Sequence, residues 1–398
     1  MGTILDYARD ETRDFTEYPF RAADAMVFAL LSYERIPNSV PRLADLMRKY
    51  RTLGDRLRSF DPRHPLSSLK ALARPPFVGP TMRQIEEELA EYEKEHPHSV
   101  QAVGFAHPEL DHQFYRSIAR NPRFAVVRVS AAEDRLDPDR QTQFAVETYQ
   151  LTDGTLVIAF RGTDDSLVGW QEDFNMTFQY PVPAQRLAAD YLEDVAGLWD
   201  GDIILTGHSK GGNLAVYAAM NAPDDVKDRI AHVYSFDGPG FTPDVVHSYE
   251  YGTVVDRITK FVPDGSIIGM LLTDSPAEHR MVVKSSADGI GQHSCYTWQM
   301  DGDRFELADD LQESSKTFNQ AINTWLSGMT QRQREHAVEA LFRVLSANGT
   351  ESITELMAAG PRAIPTLLGE YVGLTGEERK YINQALWMLA TATWGSHH

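Results

Sequence analysis

The stretch "ILTGHSKGGNLAVYAAM", Ile204 to Met220, is where residue type and spacing first suggest chemistry. An apolar run of strand character ends at Gly207, Ser209 follows, Gly211 stands two residues later, and an alanine-rich helical pattern begins. A serine hydroxyl is a weak nucleophile and must be projected toward a base before it can attack a carbonyl. A sharp strand-to-helix turn does this, and the Gly-x-Ser-x-Gly spacing keeps side chains out of the crowded turn. The free N–H groups of the new helix then face developing negative charge, which makes the Lys210 N–H a candidate oxyanion donor. The five-residue pattern alone arises by chance in about one chain in eight of this length. The strand before it and the helix after it therefore carry the assignment.

A serine hydrolase of the α/β type brings its partners in the chain order serine, acid, histidine. His293, in "SSADGIGQHSCYTW", lies in a loop after the strand pattern "RMVVKS" and is the expected base. His279 begins that pattern, at its wrong end, and His232 enters another strand. The expected acid is Asp264 in "ITKFVPDGSIIGML", in the loop after the preceding strand; Asp237 in "YSFDGPGF" is the runner-up, ahead of Asp274 and Asp288. The acid would hold the imidazole tautomer and stabilise its charged form. Lys210 is at odds with its place, because a cation at a helix N-terminus opposes the macrodipole. It is expected either to favour an anionic substrate or to pair with an acid such as Asp164.

Upstream, "VIAFRGTDDSLVGWQEDF" ends a strand at Phe160 and turns through Arg161-Gly162-Thr163. These residues resemble the class 3 lipases, whose "FRGT" or "FRGS" turn is followed by a "W-x-x-D-[LF]" segment, here Trp170 to Phe174, and whose serine turn is commonly "GHS-x-G". The resemblance implies an α/β-hydrolase fold with Thr163 as the other oxyanion donor, through its backbone N–H and with its hydroxyl as a second candidate. It also implies a mobile lid after the turn, with Trp170, Phe174, Phe178 and Tyr180 as lid or pocket aromatics; ordinary core packing is the alternative.

More widely, "RAADAMVFALLSY", "FRGTDDSLVGWQEDF", "LTGHSKGGNLAVYAA", "FDGPGF", "FVPDGSIIGMLL" and "VVKSSADGIGQHSCYTWQ" together resemble one bacterial family of lipase-like α/β-hydrolases. That family is filed largely as a domain of unknown function, and the likeness covers most of the chain. A lysine after the serine is typical there, and many members carry Gln or Glu where Asp264 stands, which strengthens Asp237. The expected function is cleavage of small-molecule or lipid carboxylic esters through an acyl-enzyme, with no cofactor and no metal. Amide or thioester hydrolysis by the same triad is one alternative. A catalytically silent member whose helical tail binds a protein partner is another.

The surrounding pattern has to position these residues. Residues 1–120 read as a helical segment, with "FRAADAMVFALLSY", "RLADLMRKYRTLGDRLRSF" and "TMRQIEEELAEYEKEH" carrying apolar residues at three- and four-residue intervals. Over residues 121–306, β-rich runs such as "FAVETYQL", "TLVIAF", "DIILTG" and "HVYSF" alternate with helical ones, which predicts a mostly parallel twisted sheet flanked by helices on both faces. Residues 307–395 read as a helical C-terminal module, packed on the sheet domain or forming a subunit contact; the closing residues 396–398 look like a tag remnant.

The 398 residues carry a net charge of −19, which disfavours nucleic acid and anionic membranes as partners. Cys295 is the lone cysteine, no signal peptide is visible, and no stretch is long and apolar enough to span a bilayer, so a cytoplasmic setting is expected. The histidines of "HPHSVQAVGFAHPELDH" lack a known ligand spacing and read as a solvated loop.

Overall fold

The computed structural model describes residues 2–96, 108–273, 275–347, 349–359, 362 and 364–384. His98, His107, Asp274 and the end of the last helical pattern lie outside them. The N-terminal segment forms α1 (Ile4–Asp10), α2 (Ala22–Leu31), α3 (Leu43–Tyr50), α4 (Leu53–Arg58), α5 (Pro65–Ala73), α6 (Met82–Glu95), α7 (Pro108–Arg120) and α8 (Pro122–Ala125). The run "RLADLMRKYRTLGDRLRSF", expected to continue as one helix, breaks between α3 and α4. Thr52 and Asp55 form a capping box there and begin a new helix. Thr81 and Gln84 form the box expected at the start of α6.

The sheet holds β1 (Arg128–Asp137), β2 (Thr142–Gln150), β3 (Leu156–Phe160), β4 (Ile203–His208), β5 (Ile230–Phe236), β6 (Ile258–Pro263) and β7 (His279–Val283). They lie side by side in chain order. β1, β2 and β3 are antiparallel neighbours, whereas β3 through β7 run parallel. Between them lie α9 (Leu167–Asn175), α10 (Pro183–Leu198), α11 (Lys210–Asn221), α12 (Asp224–Lys227), α13 (Pro243–Val246) and α14 (Tyr249–Gly252). A hairpin, β8 (Met300–Asp301) and β9 (Arg304–Phe305), then leads to α15 (Glu313–Ser327), α16 (Gln331–Leu345), α17 (Ile353–Ala359) and α18 (Ile364–Gly373).

Sequential order has a consequence for the layers. Parallel strands added one after another in the same direction, with crossovers of one hand, place every crossover helix on the same face. On that face α10, α11, α13 and α14 pack on Ile158, Phe160, Ile203, Leu205 and Val233. The opposite face, built from Val157, Ala159, Ile204 and Phe236, would be left bare. The N-terminal segment covers it: α2 is buried from Ala23 to Leu31, and α1, α6, α7 and the β8–β9 hairpin complete the layer. A helix apolar all round is a buried one. Its alanines let β4 approach closely, and the Thr206 hydroxyl donates to the Ala25 carbonyl at 2.9 Å.

One buried ion pair fastens this layer. Asp24 of α2 and Arg123 of α8 are both fully buried and make two hydrogen bonds, of 2.8 and 2.7 Å. Tyr7 of α1 donates to the same carboxylate at 2.7 Å, and Arg123 also donates to the carbonyls of Arg13 and Tyr18. Removing one partner of a buried pair strands the other's charge. Arg123→Met is therefore expected to cost about 3–5 kcal/mol, read as a lowered urea midpoint, whereas Arg9→Met at an exposed pair should leave the midpoint nearly unchanged.

Candidate active site

β4 ends at His208 and α11 begins at Lys210, so Ser209 alone makes the turn. Its backbone takes φ 58° and ψ −133°, a region that residues with a Cβ rarely occupy. The strain is held by neighbours: Ser209 N–H donates to the Phe236 carbonyl at 2.9 Å, and the Ser209 carbonyl accepts from Gly212 at 2.9 Å. The flanking glycines are there for space. A Cβ at Gly207 would lie 2.2 Å from the Gly211 carbonyl carbon, and one at Gly211 would lie 2.0 Å from the Phe160 oxygen. The Arg161-Gly162-Thr163 turn comes equally close, since a Cβ on Gly162 would sit 3.1 Å from the Ser209 Cβ.

The structure brings His293 together with Asp237, and the expectation that Asp264 would be its acid is corrected. Asp237 follows β5 with φ 48°, and that left-handed turn aims its buried carboxylate at His293. Asp237 Oδ2 lies 2.6 Å from His293 Nδ1. Oδ1 accepts from the Ser266 hydroxyl at 2.5 Å and from Gly269 N–H at 3.1 Å. Asp264 makes no bond to His293: its main chain donates to the Val283 carbonyl and accepts from Gln312 N–H, and its Oδ1 is buried without a partner among the described residues. Its role is indirect: the loop it begins delivers Ser266 to Asp237. Among the described residues, Ser209 Oγ has no hydrogen-bond partner. Catalytic hydrogen bonds are commonly long before substrate arrives.

His208 lies beneath His293, ring centroids 4.5 Å apart. His208 Nε2 contacts the His293 carbonyl at 2.9 Å, and a carbonyl can only accept, so Nε2 carries the proton. Nδ1 then accepts from the Tyr33 hydroxyl at 3.0 Å. Tyr33 follows α2, so the helix that covers the sheet also supports the floor of the site. Burial, helped by the neighbouring His293, pushes the His208 pKa down to about 3.

Lys210 proves to be an internal tie. Its ammonium is buried and donates to the Gln143 carbonyl (2.9 Å), to Gln143 Oε1 (2.7 Å) and to Glu172 Oε2 (3.1 Å), with Asp173 Oδ1 at 3.8 Å. The cation is closed to an anionic substrate; it pairs with an acid, as the alternative expectation had it, but that acid is Glu172 and not Asp164. Asp164 instead accepts from the backbone and hydroxyl of Ser166. Glu172 also accepts from the N–H groups of Gln143 (3.0 Å) and Ala184 (2.9 Å). Next to it, Asp173 accepts from the Thr163 hydroxyl. That proton is committed, so the Thr163 backbone N–H is left as the candidate oxyanion donor. Burial raises the Asp173 carboxyl to about 6, against the opposing pull of Lys210.

These bonds tie α9 to β2, α10 and α11. Trp170 and Phe178 pack with Leu167 against Val338 and Phe342 of α16, and Phe174 meets Phe342 edge-on at 5.7 Å. Tyr180 does not join them. It packs against Tyr217 and Phe241, and Tyr217 is about 12 Å along α11 from the serine. α15 holds the opposite wall, where Ser315 donates to the Ser266 carbonyl and Asn323 to the Leu272 carbonyl.

Tyr33, Gln143, Glu172 and Ser266 were given no role by sequence reasoning. The one available signal was the misplaced charge of Lys210, which required a buried acid.

Strand-turn-helix geometry around one strained serine, on a mostly parallel sheet flanked by helices, defines an α/β protein with a candidate nucleophile at a strand end. The Mbeg1-like family matches residues 118–343, and the chain belongs to that family. No curated protein matches it.

Two measurements follow. Lys210→Met leaves the Glu172 charge buried and should cost about 3–5 kcal/mol, part of it recovered in the Lys210→Met/Glu172→Gln double variant; denaturant titration reads both. For His208, whose native pKa is depressed, the unfolded chain binds more protons below the ordinary histidine value of 6.5. Its stabilising contribution, of order 4 kcal/mol, is full above about pH 6.5 and lost as pH falls toward about 3. The fall in urea midpoint on acidification should therefore be shallower in His208→Asn than in the wild type.

Proposed function

We propose that the protein is a serine hydrolase of the α/β-hydrolase, class 3 lipase-like kind, acting on carboxylic esters through an acyl-enzyme. One observation carries the reading: the strained Ser209 directly follows His208, whose ring lies 4.5 Å from that of His293, and the His293 Nδ1 is held by a buried carboxylate. With Nδ1–H bonded to Asp237, the His293 Nε2 lone pair is left to take the Ser209 proton. Ser209 Oγ attacks the acyl carbonyl, and the oxyanion is met by the Lys210 and Thr163 N–H groups at the start of α11 and at the FRGT turn. His293 then protonates the leaving alcohol, and water releases the acyl group by the same steps in reverse order. Asp237 fixes the imidazole orientation and stabilises its charged form. Trp170, Phe174 and Phe178 line the wall formed where α9 meets α16, an apolar surface of the kind an acyl chain would follow.

The test is labelling with a fluorophosphonate probe, followed by turnover of nitrophenyl esters of increasing chain length. Labelling should be lost in Ser209→Ala. Asp237→Asn should lower kcat by about 10⁴-fold, while Asp264→Asn should stay within about threefold of the wild type. An unlabelled wild type would end the hydrolase reading, and the opposite order of the two aspartates would end the assignment of the acid.

A further inference from the structure

Away from the serine site, residues 48–74 are at odds with the rest of the molecule. The chain carries −19, yet this segment holds eight lysines and arginines against Asp55 and Asp61 alone, a local excess of six positive charges. Several of the cations are already engaged. Arg48 pairs with Asp45, Arg58 with Asp55 and Arg74 with Asp200. Arg56 donates to the carbonyls of Tyr50 and Leu72 and so clamps α4 to α5. Lys49, Arg51, Arg63 and Lys70 are exposed and belong to no ion pair among the described residues.

Among these charges stand four leucines that water reaches freely. Leu53 and Leu57 share a face of α4 and are 60 % and 56 % exposed; Leu66 and Leu69 share a face of α5 and are 76 % and 55 % exposed. Isolated exposed leucines are ordinary, but a cluster within a cationic helical hairpin combines apolar area with charge as membrane-surface helices do. Net charge governs the distant field, whereas within a Debye length of about 8–10 Å the local patch decides what is attracted. The negative total therefore does not exclude an anionic surface at this one place. Nucleic acid would engage the cations but leave the leucines in water.

We propose that the α4–α5 hairpin docks on an anionic lipid bilayer, its leucines entering the boundary between headgroups and acyl chains and its free cations meeting lipid phosphate and carboxylate. The hairpin is rooted by the Arg74–Asp200 pair (3.1 Å) and by Phe77 packed on Trp199 (4.5 Å). Both Asp200 and Trp199 lie just before β4 begins, at the opposite end of that strand from Ser209. Docking here tethers the protein without covering the serine.

The experiment is co-sedimentation of the full chain with vesicles of phosphatidylcholine alone or with about a third phosphatidylserine. Binding is expected to the phosphatidylserine vesicles and to weaken with salt. Leu66→Ser/Leu69→Ser and Lys49→Glu/Lys70→Glu should each lower the partition coefficient by about tenfold or more, with unchanged circular-dichroism melting curves. The proposal is overturned if phosphatidylserine vesicles fail to bind the protein, or if both double variants bind like the wild type. It is equally overturned if a duplex oligonucleotide binds in preference to the vesicles. Self-association at low salt that the charge reversal abolishes, without vesicle binding, would assign the patch to a second copy of the chain.

Discussion

Three stretches of main chain meet at the serine turn, and their approach is the constraint on which the remainder depends. The end of β4, the start of α11 and the FRGT turn after β3 come so near that Gly207, Gly211 and Gly162 have no room for a Cβ. Only then can Ser209 adopt a backbone conformation that costs of order 1–3 kcal/mol. Strain of this size persists where the surroundings over-determine it, and here they do. The sheet fixes the strand, the Phe236 carbonyl holds the serine N–H, and α11 is buried along most of its length.

Buried charge is the second theme. Within a few residues of the serine lie Asp237, Lys210 and Glu172, and each is saturated by fixed partners. Asp237 takes three hydrogen bonds, and Glu172 takes two backbone N–H groups and the ammonium. A charge removed from water is tolerable when its bonds are complete. The result is a set of oriented dipoles around a turn, made by elements far apart in sequence: β2, α9, α11 and the loop after β6. Because Glu172 accepts the Ala184 N–H in the first turn of α10, α9 stands as a wall. The C-terminal helices lean on that wall with α16 and, with α15, on the loop after β6 whose Ser266 donates to Asp237.

Much of this was legible in the chain itself, and the failures have physical causes. The strands of the sheet, the helix at Lys210 and the hairpin near residue 302 follow from period, turn residues and capping signals, all local. The pairing of His293 with an acid is not local. Asp237 and Asp264 both follow a strand with their N–H groups bonded to the neighbouring strand, and what separates them is the positive φ at Asp237. The positive φ has no residue-type signature, since aspartate is not glycine. The place of α9 is likewise not local: the aromatics of residues 170–178 suit a flap and a packed wall equally well, and the Lys210–Glu172 bond that ties the segment down joins residues on separate elements. The sheet was expected to carry helices on both faces and does, but the second face is covered by the N-terminal helices.

That covering has a kinetic side. α2 is made well before the strands it covers, which include β4 and β5, up to Phe236. Tyr33 and its partner His208 are 175 residues apart. At translation rates of about 5–20 residues per second, α2 would wait for about ten to forty seconds before its docking surface exists. During that interval an almost wholly apolar helix has no sheet to lie on. Contacts of such separation slow folding and leave apolar surface open to aggregation. The layer that closes the finished molecule is thus the part of the nascent chain in greatest need of shelter.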